Sequence, residues 1–557
     1  MKFRIILLIS MMCFCLNGYP QLKETAANRG QKQEASAVQS AQNKKTDGVK
    51  RVRHQNKKQV EKPEDVRFDS AAVARANKKT IQNLYDKGVE YMRFKDYDNA
   101  LKCFKSAADG GHHLSQYYTG LFYDEGYGSE ENDALAFKYY KMASDGGVLK
   151  ASLYLGILYE AGDGCAQSYP DAFRSYGKAL TGGLKTAGLY IGNMLFYGRG
   201  IDQDFEKALL FYLEAAGAGS ATATYNVGFM TQYGLGVQAN GKEALKLYHK
   251  AAEMGSDYAQ FQLGYLYETG DECVKQRDYA QAVKWYRLAA EAGNSMAQNN
   301  MGDLYYYGNG LTQSYKDAFE WYEKAAKDGY VTAIYNLGIL YNYGRGVAKN
   351  KAKAREYFMQ AADQGSLAAI YAIGEQYYYE DVPDYASAAE WYRKAAEEDY
   401  SPALYSIGFL YENGYGVNQD ITEAIKWYVK AAEKNNVNAQ FALGEIYEKG
   451  EHMNKDLDEA MKWYGKAAES KMLEAQYKMG YLNETSERNI FLKSFSEALK
   501  WYRIAASRGH ADAQYRLGRM YLEGKGTKKD KDEAKMWIEL AAKKNHPEAT
   551  ALWNKIK

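Results

Sequence analysis

Residues Ser401–Asn435 read SPALYSIGFLYENGYGVNQDITEAIKWYVKAAEKN, and their spacing decides the fold. Ala403, Ile407, Leu410 and Tyr411 recur at helical intervals, as do Ala424, Trp427, Tyr428, Ala431 and Ala432, so each segment is a helix with one apolar face. Between them Gly414 suits a left-handed helix end, Gly416 a chain reversal and Asp420 the start of a second helix. Two helices cannot cover both apolar faces, so this hairpin needs a neighbour on each side.

The neighbours are found by following the glycine inside the first helix. It recurs at Gly88, Gly120, Gly156, Gly192, Gly228, Gly264, Gly302, Gly338, Gly374, Gly408, Gly444, Gly480 and Gly518, which makes thirteen hairpins. An alanine three residues before the WY position marks each second helix, from Ala100 and Ala136 to Ala498 and Ala534. From each alanine to the next glycine the spacing is twenty residues in all twelve cases. Inside a hairpin, glycine to alanine, it is 12 residues in the first, 14 at Gly374, 18 at Gly264 and Gly480, and 16 elsewhere. The hairpin-to-hairpin step is therefore constrained, whereas the loops within hairpins are expected along an exposed edge where length can vary. A glycine within a helix costs roughly 1 kcal/mol against alanine, so its recurrence needs a reason, and close packing against the WY side chains supplies one.

The pattern LG-x2-Y-x2-G-x-G-V followed by A-x2-WY-x-KAA-x2-G resembles the SEL-one-like repeat, a relative of the tetratricopeptide repeat. The likeness runs from about Asn77 to the C-terminus. It implies an all-α fold, a right-handed α/α superhelix of about thirteen helix-turn-helix repeats plus a C-terminal capping helix. The first hairpin, 81–111, has the short loop of a plain tetratricopeptide repeat, with Leu84, Gly88, Tyr91, Ala100, Phe104 and Ala107 at that spacing. The hairpins at Gly374 and Gly480 have lost the GxG turn.

The chain opens with MKFRIILLISMMCFCLNGYPQ, in which Lys2 and Arg4 precede an apolar run from Ile5 to Leu16, too short to cross a bilayer and suited to a secretory signal peptide over 1–20. Cys13 or Cys15 is the alternative, as a lipidated N-terminus. Residues 21–65 are polar with almost no large apolar side chain and read as a disordered, modestly basic linker; the array occupies 66–557. The chain is thus expected to be exported, to a periplasm, a cell surface or the medium, or to the lumen of the endoplasmic reticulum in a eukaryote. Any membrane contact is expected only through an N-terminal lipid.

A net charge of +2 over 557 residues, with no basic stripe, argues against nucleic acid as a partner. Beyond the leader only Cys103, Cys165 and Cys273 remain, too few for a disulfide framework. Some secreted members of the family carry a cysteine pair in every repeat and are described as binding or cleaving β-lactams; this chain lacks those pairs, so that activity is not carried over. No GxSxG, HExxH, CxxC or dinucleotide fingerprint occurs, and the stretch from Gly518 fails as a phosphate loop because Gly526 stands where Ser or Thr is needed. His112, His113 and His510 fall at the turns between hairpins, where helix capping is the expected role. No catalytic residue, metal site or cofactor is expected.

In related solenoids the first helices line the concave surface, where positions one and four residues after the glycine are free to vary. The plus-four set is acidic at Asp124, Glu160, Glu268, Glu412, Glu448 and Glu484 and aromatic at Phe196, Tyr306 and Tyr378. From this set Phe196, Glu268, Tyr306, Tyr378, Glu412 and Glu448 are the candidate binding residues. The position three before the glycine is Tyr or Phe in ten of thirteen hairpins, a regularity that suggests packing before binding. The expectation is an exported scaffold or adaptor that holds another protein or peptide on the concave face and does no chemistry. The alternatives are a self-associating structural envelope protein and a cell-wall or β-lactam-related enzyme.

Overall fold

The computed structural model describes residues 79–271, 273–450, 454–485 and 494–557. The expected signal peptide, the polar linker and the approach to the first hairpin at 66–78 lie outside the described residues. Among the described residues there are twenty-seven α-helices and no strand: thirteen hairpins, from the pair Lys79–Arg93 and Tyr97–Asp109 to the pair Ala511–Glu523 and Lys531–Ala542, followed by one last helix, Pro547–Ile556. The helices fall into two compact units, one running to Leu340 and including Gly344–Ala348, the other formed by Tyr341–Tyr343 and Lys349–Lys557. Hairpins one to seven lie in the first unit and nine to thirteen in the second.

The hairpin of Ser401–Asn413 and Ile421–Glu433 shows the local rules. Gly414 ends the first helix at φ 70°, with its N–H donating to the Leu410 carbonyl. Gln419 Nε2 donates to the Glu412 carbonyl at 2.9 Å, which ties the loop to the helix end. Asp420 caps the second helix, its carboxylate accepting from the Glu423 N–H at 3.0 Å.

The constancy of the step between hairpins has a backbone cause. At each of the thirteen turns the residue eleven after the marker alanine is left-handed; nine are glycines such as Gly255 (φ 91°), and four are Asp399, Asn435, Lys471 and Asn545. The next N–H then reaches back to an alanine carbonyl of the helix just ended, as in Asn436 N to Ala431 O and His546 N to Ala541 O. A buried glutamine in the following helix latches the same helix end: Gln116, Gln298, Gln440, Gln476 and Gln514 donate to Ala108, Ala290, Ala432, Ala468 and Ala506 carbonyls at 3.0–3.2 Å. One inserted residue would break all three contacts at once.

The glycine inside the first helix packs as expected. At twelve of the thirteen positions a Cβ would lie 2.5–3.0 Å from the second helix's large side chain, for example Tyr176 opposite Gly156 and Tyr464 opposite Gly444. The same contact recurs for Gly88 against Phe104 and Gly518 against Ile538, so bare backbone is needed whatever the chemistry of the facing residue.

The expectation of a free loop edge needs correction. The second glycine of the GxG turn docks on the preceding hairpin: a Cβ on Gly416 would lie 2.2 Å from the Tyr385 carbonyl oxygen, and one on Gly128 2.5 Å from that of Tyr97. The residue between the glycines covers the same place, with Tyr415 stacked on Tyr385 at 4.8 Å and Tyr127 on Tyr97 at 4.9 Å. All eight hairpins with a GxG turn have the 16-residue spacing, and every hairpin that departs from it lacks the second glycine. Docking thus sets loop length, and only loops released from it vary.

The histidine expectation holds for His112 and His510, whose side chains accept from Ser115 and Ala513 N–H groups, and extends to His546 at the last helix. His113 is not a cap; its ring pairs with the Gln116 side chain at 3.1 Å.

Candidate binding face

The polar residues of the first helices are committed to the fold before they face solvent. In ten hairpins the residue four after the marker alanine is a buried tyrosine, and every one of these hydroxyls meets a polar side chain of its own first helix. Six use the plus-four carboxylate: Tyr140 donates to Asp124 at 3.2 Å, Tyr176 to Glu160 and Tyr286 to Glu268 at 2.8 Å, Tyr428 to Glu412 and Tyr464 to Glu448 at 2.6 Å, and Tyr502 to Glu484 at 2.7 Å. Tyr248 uses Gln232, also at plus-four, at 2.7 Å.

Where plus-four is aromatic the acceptor moves to plus-one. Tyr212 donates to Asn193 at 2.8 Å beside Phe196, Tyr322 to Asp303 at 2.7 Å beside Tyr306, and Tyr392 to Glu375 at 2.7 Å beside Tyr378. The other three hairpins carry Phe104, Phe358 and Ile538, which have no hydroxyl, and their plus-four residues are Met92, Asn342 and Leu522. At plus-four an acidic group therefore appears only where a buried phenol has to be satisfied. A hydrogen bond of this kind to a charged group is worth about 1.5–3 kcal/mol.

Burial pushes the Tyr428 phenol well above its ordinary range, and the Glu412 carboxylate it donates to adds to the rise; Tyr176, Tyr286 and Tyr322 are raised in the same way by burial and then by Glu160, Glu268 and Asp303. Three of the carboxylates are also tied to the following hairpin, Glu160 by Arg199 at 2.7 Å and Glu448 and Glu484 by Lys478 and Arg516 at 2.9 Å.

The six residues expected to bind are thus placed differently from one another. Phe196 is 0% exposed, packed on the rings of Phe205, Tyr212 and Phe229, so it presents no surface and belongs to the core. Glu268, Glu412 and Glu448 are half-buried, with one carboxylate oxygen held by a phenol, and Glu412 and Glu448 are not a free acidic pair. Tyr306 lies under the Arg345 guanidinium, 5.3 Å from the ring centre. Tyr378 is half-buried between Tyr379 and Tyr385.

Around these carboxylates stand the rings of the minus-three row, which pack on the buried tyrosines: Tyr371 on Tyr392 at 5.2 Å, Phe441 on Tyr464 at 5.3 Å and Tyr405 on Tyr428 at 5.6 Å. Each ring stays half-exposed. The plus-one residues Glu375, Phe409 and Glu445 complete the face in the second unit, and reading plus-four alone missed them. For Glu375 the signal was its alternation with an aromatic plus-four residue, Tyr378, visible only when the hairpins are compared with one another; Glu445, beside an acidic plus-four, carried no such signal. Among the described residues no three His, Cys, Asp or Glu side chains are placed to hold a metal ion, and no helix is long and apolar enough to cross a membrane.

Repeated hairpins joined by one invariant step define a helical repeat protein of the α-solenoid class. The Sel1 repeat family model matches thirteen times, from 83–112 and 113–148 to 473–510 and 511–546, and takes in the first hairpin with the rest. The chain belongs to the Sel1 repeat family. It is similar to c5321, described as a protective antigen present in uropathogenic Escherichia coli strains displaying an SLR fold, with 31% identity over 75% of this chain and 90% of that one and a TM-score of 0.50. A Sel1 repeat protein from Oxalobacter formigenes shares 29% identity over 56% of this chain and 90% of its own, with a TM-score of 0.42. None of the curated proteins matches this chain.

Proposed function

We propose that the chain is an exported scaffold that holds a partner protein or peptide on the face made by its first helices and performs no catalysis of its own. The observation that carries this reading is the state of that face in the second unit. Glu412 is fixed by the Tyr428 hydroxyl, while the half-buried rings of Tyr405 and Phe409 keep part of their surface open beside it. Side chains already held in place lose little freedom when a partner arrives, so aromatic contacts there yield more net affinity than the same groups on a mobile surface. The remaining carboxylate oxygens favour basic or amide-rich segments and speed their encounter. Export is supported by the apolar run behind Lys2 and Arg4 and by the likeness to a protein described as a protective antigen.

A photo-reactive residue in place of Phe409, on the first-helix face, should form adducts with partners in envelope extract. The same residue in place of Lys426, whose side chain is 63% exposed on the second helix, should not. Adducts from position 426 alone would overturn the assignment of the face, and intact Met1 on the soluble cytosolic protein would overturn export.

A further inference from the structure

Two places in the array have the same arrangement of rings. In the seventh hairpin the Tyr306 ring lies 4.8 Å from Tyr307 at 74° and 5.2 Å from Tyr315 at 66°. In the ninth, Tyr378 lies 4.8 Å from Tyr379 at 76° and 5.2 Å from Tyr385 at 61°. The first of these sockets holds a cation from its own chain. Arg345, between the glycines of the next turn, sets its guanidinium 5.3 Å over Tyr306 and 5.5 Å over Tyr315 and donates to the Tyr306 hydroxyl. In the second socket the corresponding residue is Tyr415, which stacks on Tyr385 at 15° and brings no charge.

The second socket is open to solvent, as the first is at Tyr307, which is 59% exposed. Its loop, EDVPD at 380–384, carries no glycine and leaves Tyr379 66% exposed and Val382 83% exposed, with Tyr415 at 36%. The charge around it is net negative: Asp381 is exposed, Asp384 caps the second helix, and Glu375 lies close enough to act on both Tyr378 and Tyr379, against which stands the Lys351 ammonium, donating to the Tyr379 carbonyl at 3.4 Å. Glu380 is balanced by Arg355 at 2.7 Å.

We propose that the open side of this socket, the rings of Tyr378, Tyr379 and Tyr415 rather than the face of Tyr385 that Tyr415 covers, receives the guanidinium of an arginine presented by an extended segment of the partner. The proposal rests on the reading of the first-helix face as the place where a partner lies, of which this socket is the turn-side end. The chemistry selects arginine over lysine. A guanidinium is flat and weakly hydrated, so it gives up water to lie on a ring, whereas an ammonium is compact and holds its water. The ring pair that Arg345 already occupies two hairpins earlier shows that this geometry takes a guanidinium.

The test uses the full chain and two capped peptides, Gly-Arg-Gly-Arg and Gly-Lys-Gly-Lys, titrated at low salt. The parent should prefer the arginine peptide by about tenfold. Tyr415→Arg rebuilds from within the arrangement of the seventh hairpin; it should leave the melt unchanged and remove the preference. Any general repulsion from the added charge acts on both peptides alike, so the ratio isolates the socket. Tyr379→Ala, at an exposed ring, should reduce the preference without filling the socket. Equal binding of the two peptides to the parent, or a preference that survives Tyr415→Arg, would overturn the proposal. If that happens while position 409 still forms adducts, the face stands and only the socket is wrong; if position 409 forms none either, both readings fall.

Discussion

Gly444→Ala is expected to lower the stability of the second unit by about 2 kcal/mol, although alanine is the better helix former. The added Cβ would lie 2.5 Å from Cδ1 and 2.6 Å from Cε1 of Tyr464. That ring cannot swing aside, because its hydroxyl is held by Glu448 at 2.6 Å and its face by Phe441 at 5.3 Å. The helices must separate instead, at a cost near the upper end of the overpacking range, about 3 kcal/mol, of which helix propensity returns only about 1. Gly465, one residue beyond Tyr464, is the internal control: a Cβ there meets only Met479 Cε at 3.9 Å. Gly465→Ala should therefore stabilise by about 1 kcal/mol. Urea unfolding of the two variants reads both signs, and a gain in both would mean the helices are not in the contact described.

The second large effect is alkaline unfolding. Buried phenols such as Tyr176, Tyr286, Tyr322 and Tyr428 keep their protons in the folded chain to higher pH than in the unfolded one. Above the ordinary phenol pKa of about 10 the unfolded chain binds fewer protons than the folded one, so stability is full below that pH and falls as pH rises through it. One unit above, each such phenol removes about 1.4 kcal/mol, and three neighbouring hairpins together about 4. Helicity should fall steeply above about pH 10, in step with the appearance of phenolate absorbance. Ionisation of all 53 phenols at ordinary pH while helicity is retained would show that the ten hydroxyls are not enclosed.

Much of this fold could be read from residue spacing because its strongest constraint is local. The left-handed residue eleven after the marker alanine and the backbone bond behind it allow no insertion, and the unbroken twenty-residue step records that. The glycine facing the WY position was legible for the same reason: no other residue fits, so it recurs. The loops were read only in part. The second glycine of each GxG turn looked like a reversal and nothing more, because its partner, a carbonyl such as that of Tyr385, is backbone and leaves no trace in side-chain identity. The site was the least legible. The carboxylates at plus-four look like a solvated row until Tyr428 is seen donating to Glu412 sixteen residues back across the hairpin. Phe196 looked like a binding ring because its position is shared with Tyr306 and Tyr378, yet it packs among Phe205, Tyr212 and Phe229. The same position is core or surface according to its neighbours in adjacent hairpins, which periodicity along one helix does not report.

That the carboxylates of the first helices serve buried tyrosines first, and partners only through what remains exposed, is tested most directly by a double-mutant cycle on Tyr428 and Glu412. Tyr428→Phe removes the donor, Glu412→Ala the acceptor, and the double variant both. Each single change should cost about 1.5–3 kcal/mol, and the double variant should cost little more than either one, a coupling of at least about 1 kcal/mol in urea unfolding. Costs that simply add would mean the hydroxyl and the carboxylate act independently, and would make the acidic row an ordinary solvated face.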